Sequence, residues 1–307
     1  MTATVDVQRI RTDLAKLASF SESPAPAVTR IVFGEMDLRA RAYLKTLFAQ
    51  ASLVVHEDAV GNTFARWLGR EPTLPPVATG SHCDAIPGAG RFDGTVGVIG
   101  GLEAIRALQQ SGFTPRRSID LILFTSEEPT RFGIRCLGSR LLAAALDASA
   151  GDTLTSDGRT LNEMRRSAGF SGSLTDVPLP PGAYAAFVEL HIEQGPILDR
   201  EQLDIGVVTS IAAPASLRIL NADPPARCAQ TVVDAIVAAC DARALRYQRM
   251  ISRAYHDSLF MSRIAPTGMI FIPCRGGISH RPDEYASPEA IAHGTEVLAD
   301  TLASLSA

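Results

Sequence analysis

Apolar residues recur along this chain at two spacings, one typical of helices and the other of strands. Over 35–50 they fall three or four positions apart, which predicts an amphipathic helix. The run 118–125 (SIDLILFT) is short, apolar and β-branched near its start, a pattern that favours a buried strand. The same criteria predict helices over 5–18, 35–50, 97–110, 135–146, 161–168, 231–242 and 288–305, strands over 52–55, 63–68, 118–125, 184–191, 205–211 and 268–273, and an extended run over 74–82.

The predicted strands and helices alternate along most of the chain. This alternation is typical of an α/β sandwich in which helices flank a largely parallel central sheet. The segment 171–182 has the Pro, Gly and Ser content of a linker. In such sheets, chemistry collects beyond the carboxyl ends of the strands, so polar residues at these positions are the first candidates for a functional site.

Composition and charge narrow the classes of protein to which the chain can belong. Its 307 residues allow two domains of roughly 150 residues or one large α/β domain. Lys and Arg number 29 against 33 Asp and Glu, so there is no basic excess for binding nucleic acid. With 46% hydrophobic and 20% charged residues, the composition fits a globular chain with a sizeable core and not a disordered one.

The sequence also bears on the compartment. No apolar run approaches 18 residues, and the first ten residues lack a basic region followed by an apolar segment, so we expect no membrane partner and no secretory signal. The five cysteines are scattered and form no CxxC pair, which is typical of reduced thiols. We therefore expect a soluble cytoplasmic protein.

Polar residues lie at the ends of three of the predicted strands or extended runs. Ser81 and His82 end the first, Glu127 and Glu128 come just after the second, and His191 ends the third. Because the carboxyl ends of parallel strands meet at one edge of a sheet, these side chains are expected to lie close together.

Each candidate has a structural explanation beside a functional one. His82 stands two residues before Asp84, a spacing that lets the carboxylate orient the ring while the other nitrogen binds a metal, although a structural histidine is the commoner outcome. Asp93 is either a helix cap or turn residue or a carboxylate that bridges two cations. The neighbours Glu127 and Glu128 belong to a solvated loop unless a cation or a shared proton offsets their repulsion.

Two further histidines complete a possible ligand set. His191 lies between Glu189 and Glu193, which share its face if the strand continues, and His280 lies in a glycine-rich loop after the strand 268–273. Three histidines and at least two carboxylates at strand ends supply the nitrogen and oxygen ligands of a two-metal hydrolase. The sequence contains no G-x-S-x-G nucleophile motif, no P-loop lysine motif and no dinucleotide-binding fingerprint.

Longer motifs then point to a known family. The chain resembles the aminoacylase/carboxypeptidase-like metallohydrolases in the motifs GSHCDAIPGAGRFDGTVGV, FTSEEPTRFG, ELHIEQGPIL and GISHRP, which occur in the family's order. It is most similar to the branch that cleaves N-carbamoyl and ureido groups, and MISRAYHDSLFM resembles the ureidoglycolate amidohydrolase type of that branch. Other members carry a small Gly-Ala-Gly where this chain has 253–255 (RAY). The resemblance implies a three-layer α/β sandwich with a central, mostly parallel mixed sheet flanked by helices.

The resemblance also implies a dinuclear metal site. One divalent ion would be bound by two of the histidines, the other by the third histidine and a glutamate, and an aspartate would bridge the two ions. Histidine and carboxylate ligands suit zinc or manganese, and the sequence does not choose between them. The implied ligands are His82 and His191 for one ion, Glu128 and His280 for the other, and Asp93 for both.

The remaining implied roles concern catalysis and substrate. Glu127 would be the general base that takes a proton from the attacking water, and Asp84 would orient the first histidine ligand. Gln194 would face the substrate. His256 and Asp257 would lie near the site as supporting or substrate-binding groups, although a structural role for His256 is nearly as well supported.

One departure from the family concerns an inserted domain. The family carries a smaller lid and dimerisation domain after a strand resembling 205–220, and that domain supplies groups that hold the substrate. Here this strand leads directly into 221–225, which resembles the far side of the insertion. We therefore expect a single catalytic domain formed by 1–220 and 221–307, with the lid absent at about 219–222. Its absence predicts a monomer, and it predicts weak or no turnover because one oxyanion donor contributes about 10²–10³ in rate.

Three functions remain open from the sequence. The first is a two-metal amidohydrolase that acts on a small ureido acid, most simply ureidoglycolate, with allantoate or an N-carbamoyl amino acid as alternatives. The second is a metal-binding domain without catalytic activity. The third is a lidless, aminopeptidase-like hydrolase with altered substrates. Measurements of bound metal and of ammonia release from these compounds distinguish the three functions.

Overall fold

The computed structural model describes residues 3–212 and 223–307. The predicted junction at about 219–222 lies outside the described residues. The strands are β1 (Val28–Arg30), β2 (Val54–Glu57), β3 (Thr63–Trp67), β4 (Val77–His82), β5 (Ala85–Ala89), β6 (Ile119–Phe124), β7 (Thr155–Ser156), β8 (Arg159–Thr160), β9 (Ala186–Ile192), β10 (Ile205–Ile211), β11 (Ala226–Arg227), β12 (Tyr247–Ser252) and β13 (Thr267–Ile272). The α-helices are α1 (Val7–Ala18), α2 (Glu35–Gln50), α3 (Thr95–Gln110), α4 (Leu137–Leu142), α5 (Ala150–Thr153), α6 (Leu161–Ser167), α7 (Ile197–Glu201), α8 (Gln230–Ala242), α9 (Asp257–Met261) and α10 (Pro288–Ser306).

A central mixed sheet carries most of the strands. Its order is β11-β10-β13-β9-β4-β6-β3-β2, and β12 pairs with β10. The four middle strands, β13, β9, β4 and β6, are mutually parallel, whereas the flanking strands β10 and β3 run antiparallel to them. The carboxyl ends of the four parallel strands therefore lie at one edge of the sheet.

Helices cover both faces of this sheet, which gives the three layers that the sequence predicts. Successive residues of β6 alternate between two buried apolar clusters, with Leu121 and Leu123 in one and Ile122 and Phe124 in the other. The first cluster contains buried residues of α1, α2, α3, α8 and α10, and the second contains buried residues of α4, α6 and α9.

Local sequence accounts for the ends of the long helices. At the start of α10 the Ser287 side chain accepts a hydrogen bond from the backbone N–H of Ala290, and Pro288 occupies the first turn. After α3 the chain turns at Gly112, whose φ of 76° is in the left-handed region. These signals explain why the predicted bounds of both helices agree with the structure to within two residues.

Some elements differ from the sequence prediction. The predicted helix 135–146 is shortened to α4, because Cys136 before it and Ala144 after it both have left-handed backbone conformations. The edge strand β12 is absent from the prediction, since its sequence YQRMIS lacks a clear apolar pattern and its pairing with β10 is a tertiary property. Within the described ranges we find no helix that combines the length and the apolar character needed to cross a bilayer.

The packing of β6 generates a test of the layered core. Phe124 is fully buried and packs edge-on against Phe187, with 5.8 Å between the ring centroids. We expect Phe124→Ala to lower the free energy of unfolding by about 3–5 kcal/mol because it removes apolar contacts and leaves a cavity. Chemical denaturation measures this change. The control Leu68→Ala, at a side chain that is 56% exposed, should change it by less than about 0.5 kcal/mol; similar values for the two variants would contradict the layer assignment.

Candidate metal centre

The structure brings the five predicted ligands together at the carboxyl edge of the parallel strands. His82 is the last residue of β4, His191 is the last but one of β9, and Glu128 follows β6 by four residues. Asp93 precedes α3, and His280 lies in the loop between β13 and α10. The crossover connections of the sheet thus place residues up to 198 positions apart around one point.

Asp93 lies at the centre of the group, and its two carboxylate oxygens face different partners. Oδ1 is 3.4 Å from Nε2 of His82 and 3.2 Å from Nε2 of His191. Oδ2 is 3.3 Å from Nε2 of His280, which is in turn 3.2 Å from Oε1 of Glu128. Two sets of three donor atoms, each mutually within 4.8 Å, therefore share one aspartate.

Backbone contacts orient two of the imidazole rings. Nδ1 of His191 is 2.9 Å from the carbonyl oxygen of Ile192, and the N–H of Gly94 donates to its Nε2 at 3.2 Å. Nδ1 of His82 is 3.1 Å from the carbonyl oxygen of Asp84. Since a carbonyl only accepts, these contacts place a proton on Nδ1 of each ring, so that Nε2 is the nitrogen that faces the other proposed ligands.

Gly94 is required by the close packing at this point. Its φ is 63°, and a Cβ at this position would lie 2.4 Å from Nε2 of His82. Any larger side chain would therefore be strained and would displace the histidine.

The Asp84 carboxylate connects two strand ends. Its two oxygens accept hydrogen bonds from the backbone N–H groups of Glu127 at 3.2 Å and Glu128 at 3.0 Å. Its Oδ1 is 3.6 Å from Nδ1 of His82, farther than the backbone carbonyl. The Asp84 side chain thus positions the backbone of Glu127 and Glu128. The contact with His82, which the sequence analysis attributes to the Asp84 side chain, is made by the main-chain carbonyl of Asp84.

The mutual proximity of these groups shifts their pKa values in opposite directions. Burial opposes ionisation of Asp93, but the neighbouring histidines outweigh it and hold the pKa of Asp93 well below its usual value. Hydrogen bonds that His280 donates to Asp93 and Glu128 raise its pKa to about 10. Burial raises the pKa of Glu127 to about 7, with the charge of His82 opposing the shift and Glu128 adding to it.

The donor set fits divalent cations. Three histidine nitrogens and carboxylate oxygens are ligands suited to zinc and manganese, and the buried Oε2 of Glu128 accepts no hydrogen bond from the described residues. Glu189, His191 and His256 form a third close set. The carboxylate of Glu189, however, already accepts hydrogen bonds from the hydroxyls of Ser81 and Ser258, so this set is less available to a cation.

A small cavity opens onto the ligands. Its volume is about 150 Å³, below the roughly 300–1,000 Å³ typical of drug-sized ligands, so it fits a small substrate. Glu127 lines the cavity, and its two carboxylate oxygens have different neighbours. Cys136 Sγ donates a hydrogen bond to Oε1 at 3.2 Å, and Oε2 lies 3.7 Å from Nε2 of His82. The other lining residues are His82, Asp93, Arg135, His191, Gln194, Arg253, Ala254, Tyr255 and His280.

The three predicted substrate groups lie in two different places. Gln194 lines the cavity, and its Nε2 donates to Oδ2 of Asp93 at 2.6 Å. His256 is buried behind His191, with 4.6 Å between the ring centroids, and its Nε2 has no partner among the described residues. Asp257 is fully buried and accepts a hydrogen bond from Ser139 Oγ at 2.5 Å. Neither His256 nor Asp257 lines the cavity.

Glu284 is a supporting residue that the sequence prediction missed. Its Oε1 accepts hydrogen bonds from the N–H groups of Phe92 at 2.7 Å and Asp93 at 3.1 Å, and its Oε2 accepts from the N–H of His280 at 3.3 Å. It thus joins the loops of two ligands. Its position four residues after His280 is the only sequence signal, and a carboxylate in a loop is ordinarily solvated.

Comparisons with known proteins identify the family. The sequence pattern of peptidase family M20/M25/M40 matches residues 53–304. The chain is 42% identical over 414 residues to the ureidoglycolate hydrolase of Arabidopsis thaliana, covering 98% of this chain and 87% of that protein. It is 40% identical over 412 residues to the ureidoglycolate hydrolase of Oryza sativa subsp. japonica, with 98% and 85% covered.

A solved structure shares the fold. The crystal structure of AtUAH in complex with glyoxylate superposes with a TM-score of 0.96 at 40% identity, covering 99% of each chain. The α/β sandwich and the ureidoglycolate hydrolase resemblance that the motifs predict are therefore confirmed.

The bonding of Glu284 generates a test of the loop geometry. We expect Glu284→Ala to lower the free energy of unfolding by about 3 kcal/mol, because it leaves buried N–H groups of Phe92 and Asp93 without an acceptor. Urea denaturation with a chelator present measures this without a contribution from bound metal. In the same loop, Asp283→Ala removes only an exposed ion pair with Arg281 and should cost less than about 1 kcal/mol. Equal losses would show that Glu284 does not join the loops.

Proposed function

Because this chain belongs to peptidase family M20/M25/M40, we propose that it hydrolyses the ureido C–N bond of a small ureido acid, with ureidoglycolate as the substrate. The observation that carries this proposal is the position of Glu127 beside two ligand sets that share Asp93. The identity of 42% to a ureidoglycolate hydrolase supports the choice of substrate, and the small cavity fits a ureido acid better than a peptide.

We propose that the centre holds two divalent ions, zinc or manganese. His82 and His191 would hold one, Glu128 and His280 would hold the other, and Asp93 would serve both. Such a pair of ions would lower the pKa of water and polarise the scissile carbonyl. Asp84 supports this arrangement by holding the backbone of Glu127 and Glu128 in place.

Glu127 is proposed as the general base and then the general acid. Its Oε1 accepts from Cys136, so Oε2 is the oxygen available to take a proton from the attacking water. A pKa near 7 lets the carboxylate accept this proton and then give it to the departing nitrogen. Burial of the side chain, at 4% exposure, excludes competing solvent from the transfer.

Three further residues complete the proposed site. The Gln194 amide at the cavity wall faces the substrate. His256 and Asp257 act through their contacts behind the cavity, His256 by packing against the ring of His191 and Asp257 through Ser139. In this proposal the two residues position the metal ligands and the glutamate pair, and they do not bind the substrate directly.

The chain is proposed to be a single catalytic domain without the inserted lid. The alignments with the two plant hydrolases extend over 414 and 412 residues, whereas this chain has 307, which is what a missing internal segment produces. Without a dimerisation domain we propose a monomer with slow turnover. The five cysteines are all unpaired, which fits a reducing compartment such as the cytoplasm.

The assignment of Glu127 can be tested directly. We expect the metal-loaded wild-type chain to release ammonia from ureidoglycolate and Glu127→Gln to lose at least about 10²-fold in kcat, since a neutral amide cannot take up the proton. Ammonia release is measured with ureidoglycolate, allantoate and an N-carbamoyl amino acid in parallel. Equal rates for wild type and Glu127→Gln would refute the catalytic role, and metal binding without any release would identify a non-catalytic domain.

The sharing of Asp93 generates a second test. Elemental analysis after metal loading and dialysis should find two ions per wild-type chain. We expect His280→Ala to keep one ion, because the set around His82 and His191 is intact, and Asp93→Ala to lose both. His293→Ala, a histidine remote from the centre near Asp204, should keep two. A single ion in the wild type, or two in Asp93→Ala, would contradict the shared site.

A further inference from the structure

Two arginines belong to the wall of the cavity beside the proposed ligands. Arg253 directly follows β12 and is exposed, and Arg135 precedes α4 with 34% of its side chain exposed. The rest of the wall carries the carboxylates of Asp93 and Glu127. The cavity thus presents two guanidinium groups beside the proposed metal ligands.

Neither of these arginines is held in a close ion pair. Arg41, Arg66 and Arg140, by comparison, each contact a carboxylate oxygen at 3.1 Å or less. Among the described residues, Arg253 has no carboxylate within 4 Å, and Arg135 reaches only Oε2 of Glu128, at 3.6 Å without a hydrogen bond. Both guanidinium groups therefore retain donors for a ligand.

We propose that Arg135 and Arg253 form the binding site for the carboxylate of the substrate, and this inference rests on the function proposed above. A guanidinium group binds a carboxylate with two parallel hydrogen bonds, which fixes orientation as well as position. The ureido acid is consequently held with its carboxylate at the two arginines and its carbamoyl group facing Glu127.

This arrangement makes the two arginines determinants of specificity. They select ureido compounds that carry a carboxylate over neutral ureas of the same size. They are binding residues, because the substrate carboxylate keeps its charge throughout the reaction and the contact is equally strong in the ground and transition states. Their loss should therefore raise KM far more than it lowers kcat.

The test compares a charged substrate with a neutral analogue in the metal-loaded full chain. For ureidoglycolate, we expect Arg253→Gln to raise KM about 10–100-fold with kcat changed only a few-fold, Arg135→Gln to act in the same direction, and Arg253→Lys to restore part of the affinity. For (hydroxymethyl)urea, which lacks the carboxylate, none of these variants should change kcat/KM. Arg249→Gln, an exposed arginine on β12 outside the cavity wall, is the matched control. Equal losses on both compounds, or an unchanged KM for ureidoglycolate, would overturn the proposal.

A binding measurement separates this proposal from the proposed function. Calorimetry with oxamate, a small carboxylate without a ureido group, requires no turnover. We expect at least tenfold weaker binding in Arg253→Gln and in the double variant with Arg135→Gln. If arginine-dependent binding is found but no ureido compound is hydrolysed, the function fails and the carboxylate site stands. If ureidoglycolate is hydrolysed but oxamate binding is the same in all variants, the carboxylate site fails alone.

Discussion

The buried carboxylate of Asp93 is the group on which the organisation of this protein depends. An ionised carboxylate at 8% exposure is stable only when it is paired, because burial of an isolated charge costs several kcal/mol. Three imidazoles on β4, on β9 and in the loop after β13 surround it at 3.2–3.4 Å. The ends of these elements must therefore meet at one edge of the sheet. The parallel arrangement of the central strands brings them there.

A second set of carboxylates holds the elements that carry these groups. Asp84 accepts backbone hydrogen bonds from the glutamate pair after β6, Glu284 accepts them from the loops of Asp93 and His280, and Glu189 accepts them from Ser258 at α9. Each one bonds the main chain of a segment distant in sequence. Because these acceptors are buried, their hydrogen bonds fix distances that flexible loops would otherwise leave variable.

The division of the site between acidic and basic groups connects the fold to the proposed chemistry. Two of the proposed ligands, His82 and His191, lie on strands of the parallel centre. The other proposed ligands lie in connections between elements, as do the two arginines, before α4 and after β12. A rigid sheet edge that carries the proposed metal ligands, together with arginines in loops, would allow one fold to act on different acids. The proposed absence of the lid leaves the cavity wall as the part of the chain that contacts the rest of the substrate.

The sequence by itself determined the alternation of strands and helices, the residues proposed here as metal ligands and the family. These features depend on local periodicity and on motifs in a fixed order. It did not show β12, the place of His256 and Asp257 behind His191, the role of Glu284 or the arginines of the cavity wall. Only the tertiary structure decided these, because each depends on contacts between segments far apart in sequence, such as the 192 positions between Phe92 and Glu284, and no local pattern encodes such a contact.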